Sequence, residues 1–289
     1  MAIDASITLV LDMGGHMVRI AKDSPYRLAQ DGVSGLEAAE YMLTIKQNAQ
    51  VDGGYIEKES FEPRNISITF VVDDRTNTEA HRRLLLRYLN PKQQGTLTVT
   101  RSGVTRRIGC KIDGVIEFWQ PNIREDRLRV TVNLVCPDPW FYEERAAEYE
   151  FKNVKPLLTF PFNSLVGVGI MSGLVWRSDE LTVENTGDDA MGILLTIQAQ
   201  GEIKNPKVTL DDGEYIRLIT VLQSGDKAQI STIPKNKDIW INGERALVYD
   251  RQSVFFSVPT GKHTLKISAD SGTENAVTKL ECSFKYLGV

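Results

Sequence analysis

Apolar and polar residues alternate along most of the chain, and one segment near residue 80 replaces this alternation with a helical period. From residue 66 to 72 every second residue is large and apolar, which is typical of a half-buried strand. From 80 to 89 the leucines recur at helical spacing, and Pro91 ends the segment. Thr76 and Glu79 match a capping box. The pattern predicts one amphipathic helix lying against a sheet.

Further β-runs follow this helix. They span 95–101, 106–116 and 128–136, and Ser102-Gly103 predicts a tight hairpin between the first two. From residue 181 onward short β-branched runs alternate with turn signals such as Asn242-Gly243, without a helical period. This spacing is typical of a sandwich or barrel. The predicted strands are 181–184, 193–199, 207–210, 215–221, 228–231, 238–241, 245–249, 254–258, 263–269 and 279–286.

The regular pattern weakens between the two β-rich regions. Prolines and glycines interrupt residues 143–180. The segment nevertheless holds enough apolar residues that we expect it to pack, and a neighbouring subunit is one candidate surface for this packing. The chain is therefore predicted to comprise an N-terminal domain (1–142), a linker or arm (143–180) and a C-terminal β-sandwich (181–289).

Composition narrows the function classes. The chain has 289 residues, 25% of them charged and 42% hydrophobic, which are average globular values. A net charge of −4 does not favour a general nucleic-acid binder, which needs excess Lys and Arg. Apolar runs stay shorter than the roughly 20 residues that span a bilayer. Cys110, Cys136 and Cys282 are widely spaced, which predicts buried free thiols.

Residues suited to catalysis are scattered. His16, His81 and His263 lie in separate segments without a partner at metal-binding spacing. The acidic pairs at 188–189 and 211–212 are read as turn formers in preference to glycosidase carboxylates. We expect no enzymatic activity, no metal and no cofactor.

Two further groups of residues are candidates for binding. Trp240 and Tyr249 flank the Asn242-Gly243 turn and suit sugar stacking, although aromatic core residues of a small sandwich are the favoured interpretation. Six arginines form a basic concentration, interpreted as solvated faces or as salt bridges between subunits. They are Arg82, Arg83, Arg87, Arg101, Arg106 and Arg107.

The order of motifs resembles the siphophage distal tail protein family, also called the siphovirus tail component family. The resemblance rests on a Gly-Gly turn, an arginine that opens a strand, a proline that closes the helix, and a Cys-Pro-Asp-Pro-aromatic ending to the first domain. The residues that carry it are Gly53, Gly54, Arg64, Pro91, Cys136, Pro137, Asp138, Pro139 and Trp140.

This resemblance implies a mainly β fold with one principal helix, in which the N-terminal domain forms a ring and a galectin-like, jelly-roll sandwich follows. It implies a hexamer at the tip of a virion tail, assembled in the host cytoplasm. The implied partners are the tail tube protein, the tail-associated lysin or fibre hub, and receptor-binding proteins. The alternative is a carbohydrate-binding or adhesin module that recognises host cell-wall glycans.

Overall fold

The computed structural model describes residues 7–47, 52–74, 76–119, 127–151, 153–155, 174–176, 179–211 and 213–289. The described chain is mainly β, and its one α-helix is the predicted one, so the predicted fold class is confirmed. The chain divides into two compact units. Unit 1 comprises residues 1–144 together with 285–289, and unit 2 comprises residues 145–284. The chain thus leaves unit 1 once and returns to it.

Unit 1 contains eleven strands and the helix among its described residues. The elements are β1 (Thr8–Met13), β2 (His16–Ile20), β3 (Tyr26–Ser34), β4 (Tyr41–Gln47), β5 (Gly54–Phe61), β6 (Arg64–Val72), α1 (Thr78–Tyr88), β7 (Gly95–Arg101), β8 (Val104–Trp119), β9 (Leu128–Cys136), β10 (Phe141–Glu143) and, after unit 2, β25 (Lys285–Tyr286).

Seven of these strands form a sheet that closes on itself, in the order β8-β7-β1-β2-β3-β6-β9 with β9 pairing back to β8. Only β2 and β3 are parallel among these pairs. The alternation seen in the sequence fills the interior: Ile66, Ile68, Phe70 and Val72 are all at most 1% exposed. β10 and β25 extend the sheet beyond β8, while β4 and β5 form a separate hairpin.

Helix α1 buries Leu85, and Leu89, its C-cap residue, is also buried, whereas Leu84 of the same predicted stripe is 38% exposed. The predicted capping box is wrong. The helix begins at Thr78, and the Thr76 hydroxyl donates to the Asp74 carboxylate at 2.8 Å. In a capping box the threonine oxygen accepts from a backbone N–H of the first turn. Here Asn77 is the N-cap residue without a side-chain cap hydrogen bond, and the Asp74 carboxylate accepts from the Thr76 and Asn77 N–H groups. Within the described residues, helices fall short of the length and apolarity needed to cross a membrane.

Unit 2 is built of short strands and one 3-10 helix. Its described elements are β11 (Ala147–Glu150), β12 (Asn153–Lys155), β13 (Leu174–Trp176), β14 (Glu180–Asn185), β15 (Ile193–Ala199), β16 (Ile203–Lys204), β17 (Lys207–Leu210), β18 (Tyr215–Arg217), β19 (Val221–Leu222), β20 (Lys227–Ser231), β21 (Asp238–Ile241), β22 (Glu244–Arg245), β23 (Gly261–Ser268), the 3-10 helix Thr273–Asn275 and β24 (Ala276–Cys282).

Two sheets dominate unit 2. One has the order β11-β24-β15-β20-β21-β22 and the other β14-β23-β17-β18. Each sheet buries alternate residues, for example Leu195 and Leu280 in the first, and Val208 and Leu265 in the second. Sheets that each bury one face pack as a sandwich, which is the predicted architecture.

In unit 2 one predicted turn is confirmed and one predicted strand is wrong. Asn242 and Gly243 both have positive φ, 52° and 85°, and connect β21 to β22 as a tight hairpin. Residues 254–258, predicted as a strand, form only an isolated bridge through Val258. The predicted boundaries at 142 and 180 stay a prediction, and residues 156–173, about half of the predicted linker, lie outside the described residues.

Candidate functional site

Arg64 is the centre of a buried cluster in unit 1. It opens β6, pairs with Cys136 at the end of β9, and is only 3% exposed. Its guanidinium donates hydrogen bonds to four carbonyl oxygens. The acceptors are Pro139 (2.9 Å), Gly35 (2.8 Å), Leu287 (2.5 Å) and Glu37. A single side chain therefore joins the segment after β3, the Cys-Pro-Asp-Pro segment and the end of the chain.

The contacts around Arg64 offset the free-energy cost of burying its charge. Its guanidinium also lies 4.9 Å from the centre of the Phe141 ring, a cation–π distance. Burial lowers the pKa of Arg64, yet a guanidinium stays protonated in proteins. A charged donor bonded to several carbonyls makes strong hydrogen bonds. The cluster consequently fixes the backbone of the segments around it.

Two other arginines bind the last five residues of the chain. Arg106 lies 3.6 Å from the centre of the Tyr286 ring and donates to the Gly288 carbonyl. Arg101 donates to the Glu37 carboxylate at 3.2 Å and to the Val289 carbonyl at 3.4 Å. Their side chains thus bind this chain itself, whereas the sequence favoured solvated faces or bridges between subunits.

Trp140 supports the base of the β4–β5 hairpin. The Phe61 ring lies edge-on to Trp140, with centroids 5.0 Å apart, and Tyr41 lies edge-on to Phe61 at 4.7 Å. Nearby, the Tyr142 hydroxyl donates to the Asp138 carboxylate at 2.7 Å. The motif residues Asp138 to Trp140 thus connect the Arg64 cluster to the start of the hairpin.

The hairpin itself exposes apolar side chains on both faces. All seven residues of β4 and the first six of β5 are exposed. The large apolar residues among them are 45 to 61% exposed; they are Tyr41, Met42, Leu43, Ile45, Tyr55 and Ile56. Neighbouring positions on a strand point to opposite faces, so Met42 and Leu43 cannot share one face. This hairpin lacks a covered face among the described residues.

Glycines shape the far part of this hairpin. Gly53 has φ +99°, which other residues rarely adopt. A Cβ at Gly54 would lie 2.7 Å from the Lys46 carbonyl oxygen. Both motif glycines are therefore required by the backbone geometry here. The turn residues 48–51 lie outside the described residues.

The remaining motif residues have separate positions. Pro91 follows α1, where its missing N–H and fixed φ end the helix. Pro137 is exposed, while Cys136 is fully buried. Burial raises the pKa of the Cys110 and Cys136 thiols to about 12. All three cysteines are free and buried, as predicted.

Trp240 and Tyr249 have different partners in the described part of the chain. Trp240 lies on β21, opposite Gln229 and Arg245. Tyr249 forms a bridge with Leu218, and its ring lies edge-on to Phe255 at 5.5 Å. A sugar-stacking role for either residue stays a prediction. In the described part of the chain, groups of three or more His, Cys, Asp or Glu able to hold a metal ion are absent.

Residues 186–285 match the family model of the siphovirus-type tail component, C-terminal domain. The Dit protein of phage SPP1 has a similar structure, with a TM-score of 0.67 and 17% identity over 96% of this chain and 99% of that one. The match in residues 186–285, together with the shared fold, confirms the resemblance to siphophage distal tail proteins.

Two structures of the phage P2 baseplate in its activated conformation are more distant. The one with Ca has a TM-score of 0.47 and 10% identity, over 98% of this chain and 99% of that one. The one with Sr has a TM-score of 0.46 and 11% identity, over 96% and 97%. Among curated protein sequences, none matches the chain.

Proposed function

We propose that this protein is a non-enzymatic structural component of a siphophage tail tip, where copies of it form a ring. Six copies are expected. The ring joins the tail tube to the tail-associated lysin or fibre hub and serves as a baseplate platform for receptor-binding proteins. The similar SPP1 protein is described as a paradigm of the hub adsorption apparatus in phages that infect Gram-positive bacteria, which supports this role.

The exposed apolar surface of the β4–β5 hairpin is the observation that best supports ring formation. Two-stranded hairpins are at best marginally stable in water by themselves. This one leaves six large apolar side chains 45 to 61% exposed, grouped on one separate two-stranded sheet. Each buried Å² of apolar surface contributes about 25 cal/mol. Packing the hairpin against a second copy would cover these side chains and fix the strand geometry.

The position of the hairpin suits a ring. An interface between a hairpin on one copy and a different surface on the next is heterologous, and such interfaces close into rings when the rotation allows. The Trp140–Phe61–Tyr41 contacts hold the hairpin base against the segment that Arg64 binds through the Pro139 carbonyl, which favours one direction for the hairpin. A fixed direction is what repeated contacts in a closed ring require.

Light scattering of the purified chain over a concentration series tests this proposal, with negative-stain images of the same fractions. We expect particles of about six times the 32.4 kDa of one chain, with a central hole. A monomer at every concentration that also fails to form rings on isolated tail tubes would contradict the ring.

A further inference from the structure

Unit 2 contains a polar cavity of about 210 Å³ that the tail-tip role does not use. It lies at the end of the β14-β23-β17-β18 sheet. Strands β17 and β18 and the end of β23 contribute residues to it. Charged and hydroxyl groups form most of its lining. The lining residues are Asn205, Lys207, Tyr215, Arg217, Ser268, Ala269 and Asp270.

Strand register places three of the lining residues side by side on one face of the sheet. Lys207 on β17 is directly opposite Arg217 on β18 and Ser268 on β23. The next residues, Val208 and Ile216, are at most 1% exposed and face the sandwich core. Because successive residues on a strand point to opposite faces, these three polar side chains share the outer face.

Asp270 holds the guanidinium in place. Both of its carboxylate oxygens accept from Nη2 of Arg217, at 2.8 and 2.7 Å, and Asn205 donates to the same carboxylate at 2.8 Å. These bonds leave Nε and Nη1 of Arg217 without a described partner. A preorganised guanidinium loses little freedom when it binds a ligand.

Lys207 supplies a second cation. Its ammonium lies 4.0 Å from the centre of the Tyr215 ring, and the described carboxylates do not reach ion-pair distance of it. Lys207 and Arg217 together outnumber the one carboxylate in the lining, Asp270. The lining therefore carries one positive charge more than its single carboxylate neutralises.

We propose that this cavity binds an oxyanion, phosphate or carboxylate, carried by a small hydroxyl-bearing ligand such as a sugar or polyol unit. Lys207 and the open side of Arg217 donate charge-assisted hydrogen bonds to the oxyanion. Ser268 and Asn205 exchange hydrogen bonds with hydroxyl groups. The volume is below the roughly 300 Å³ at which drug-sized sites begin, which suits a single such unit.

Calorimetric titration of the full chain tests this site with four probes: glycerol 1-phosphate, glucuronate, glucose and inorganic phosphate. We expect glycerol 1-phosphate or glucuronate to bind, their ratio distinguishing a phosphate from a carboxylate ligand. Glucose lacks the charge and should give no heat. Absence of binding by both organic anions would overturn the proposal, and inorganic phosphate binding as tightly as glycerol 1-phosphate would overturn its hydroxyl-bearing part.

A matched pair of lysines locates the site. Lys266 lies on the same sheet face, opposite Thr209, and forms an ion pair with Glu180 at 3.0 Å. Lys207→Gln should weaken binding about tenfold, the size of one charge-assisted hydrogen bond, whereas Lys266→Gln changes net charge equally and should weaken it less than about twofold. Equal losses would show a diffuse charge effect and overturn the site. The result is independent of ring formation, because mass is measured separately.

Discussion

Nη2 of Arg64 lies 2.5 Å from the carbonyl oxygen of Leu287, a residue 223 positions later in the chain. This bond ties the end of the chain to the first residue of β6. Between them the chain forms all of unit 2. The chain consequently connects unit 2 to unit 1 at both ends of unit 2, and Arg64 bonds the segment that follows the second connection.

Arg64→Met should destabilise unit 1 by at least about 3 kcal/mol, because four buried carbonyl acceptors lose a charged donor. Urea unfolding, followed by tryptophan fluorescence, measures this loss. Arg83→Met is the control, since that side chain is 80% exposed and pairs with Glu79 only at the surface. Equal stability of the two variants would contradict the role of the Arg64 cluster.

Ile45→Asp should prevent ring formation while leaving the fold of one chain intact. Ile45 is 61% exposed and pairs with Ile56 across the hairpin, so a charge there costs little in a single copy but is unfavourable inside an interface. Light scattering and the melting temperature together report this result.

Leu247→Asp in unit 2 is the matched control, because Leu247 is an exposed apolar residue, at 73%, outside the hairpin. It should retain the wild-type mass. If both variants formed rings equally well, the hairpin would not be part of the interface.

Gly35→Ala should destabilise the protein more than Gly103→Ala. Both glycines have nearly the same φ, +84° and +85°, so the conformational penalty of about 1–2 kcal/mol is shared. A Cβ at Gly35 would lie 2.1 Å from the Asn65 carbonyl oxygen, whereas nothing lies within 4 Å at Gly103. Urea midpoints separate the steric cost from the conformational one, and equal midpoints would show that the backbone near Gly35 adapts freely.

The His263–Asp211 pair should make stability depend on pH. Their side chains are 2.5 Å apart, and the Thr264 N–H also donates to Asp211. The Asp211 carboxylate raises the pKa of His263 above 6.5, so this stabilisation is complete below pH 6.5 and is lost as pH rises through the folded-state pKa. The Thr264 N–H, followed by His263, lowers the pKa of Asp211 below 3.8, so its contribution is present above that pH and is lost in acid.

Asp211→Asn isolates this pair, because Asn also tolerates the φ of +47° found at this position. The difference in melting temperature between wild type and variant should be largest between pH 4 and 6.5 and should shrink toward pH 8. A difference that does not change with pH would show that the His263 charge contributes nothing.

Local features followed from the sequence because neighbouring residues decide them. The alternation in 66–72, the helix that ends before Pro91 and the Asn242-Gly243 hairpin each depend on a few consecutive side chains and their backbone preferences. The motif order also carried the family resemblance, which the match at 186–285 confirms.

The tertiary structure alone decided which distant groups meet. The sequence contains no signal that Arg64 donates to Leu287, that Arg106 covers Tyr286, or that Asp270 fixes Arg217. Such contacts arise from strand register and chain return, which depend on hydrophobic burial summed over whole sheets. The failed capping box shows the same limit at short range: the turn before α1 makes Asn77 the N-cap residue and places the Asp74 carboxylate on the Thr76 and Asn77 N–H groups. The residue pattern therefore determines the elements, and their packing determines which side chains become a cluster, an exposed hairpin or a cavity.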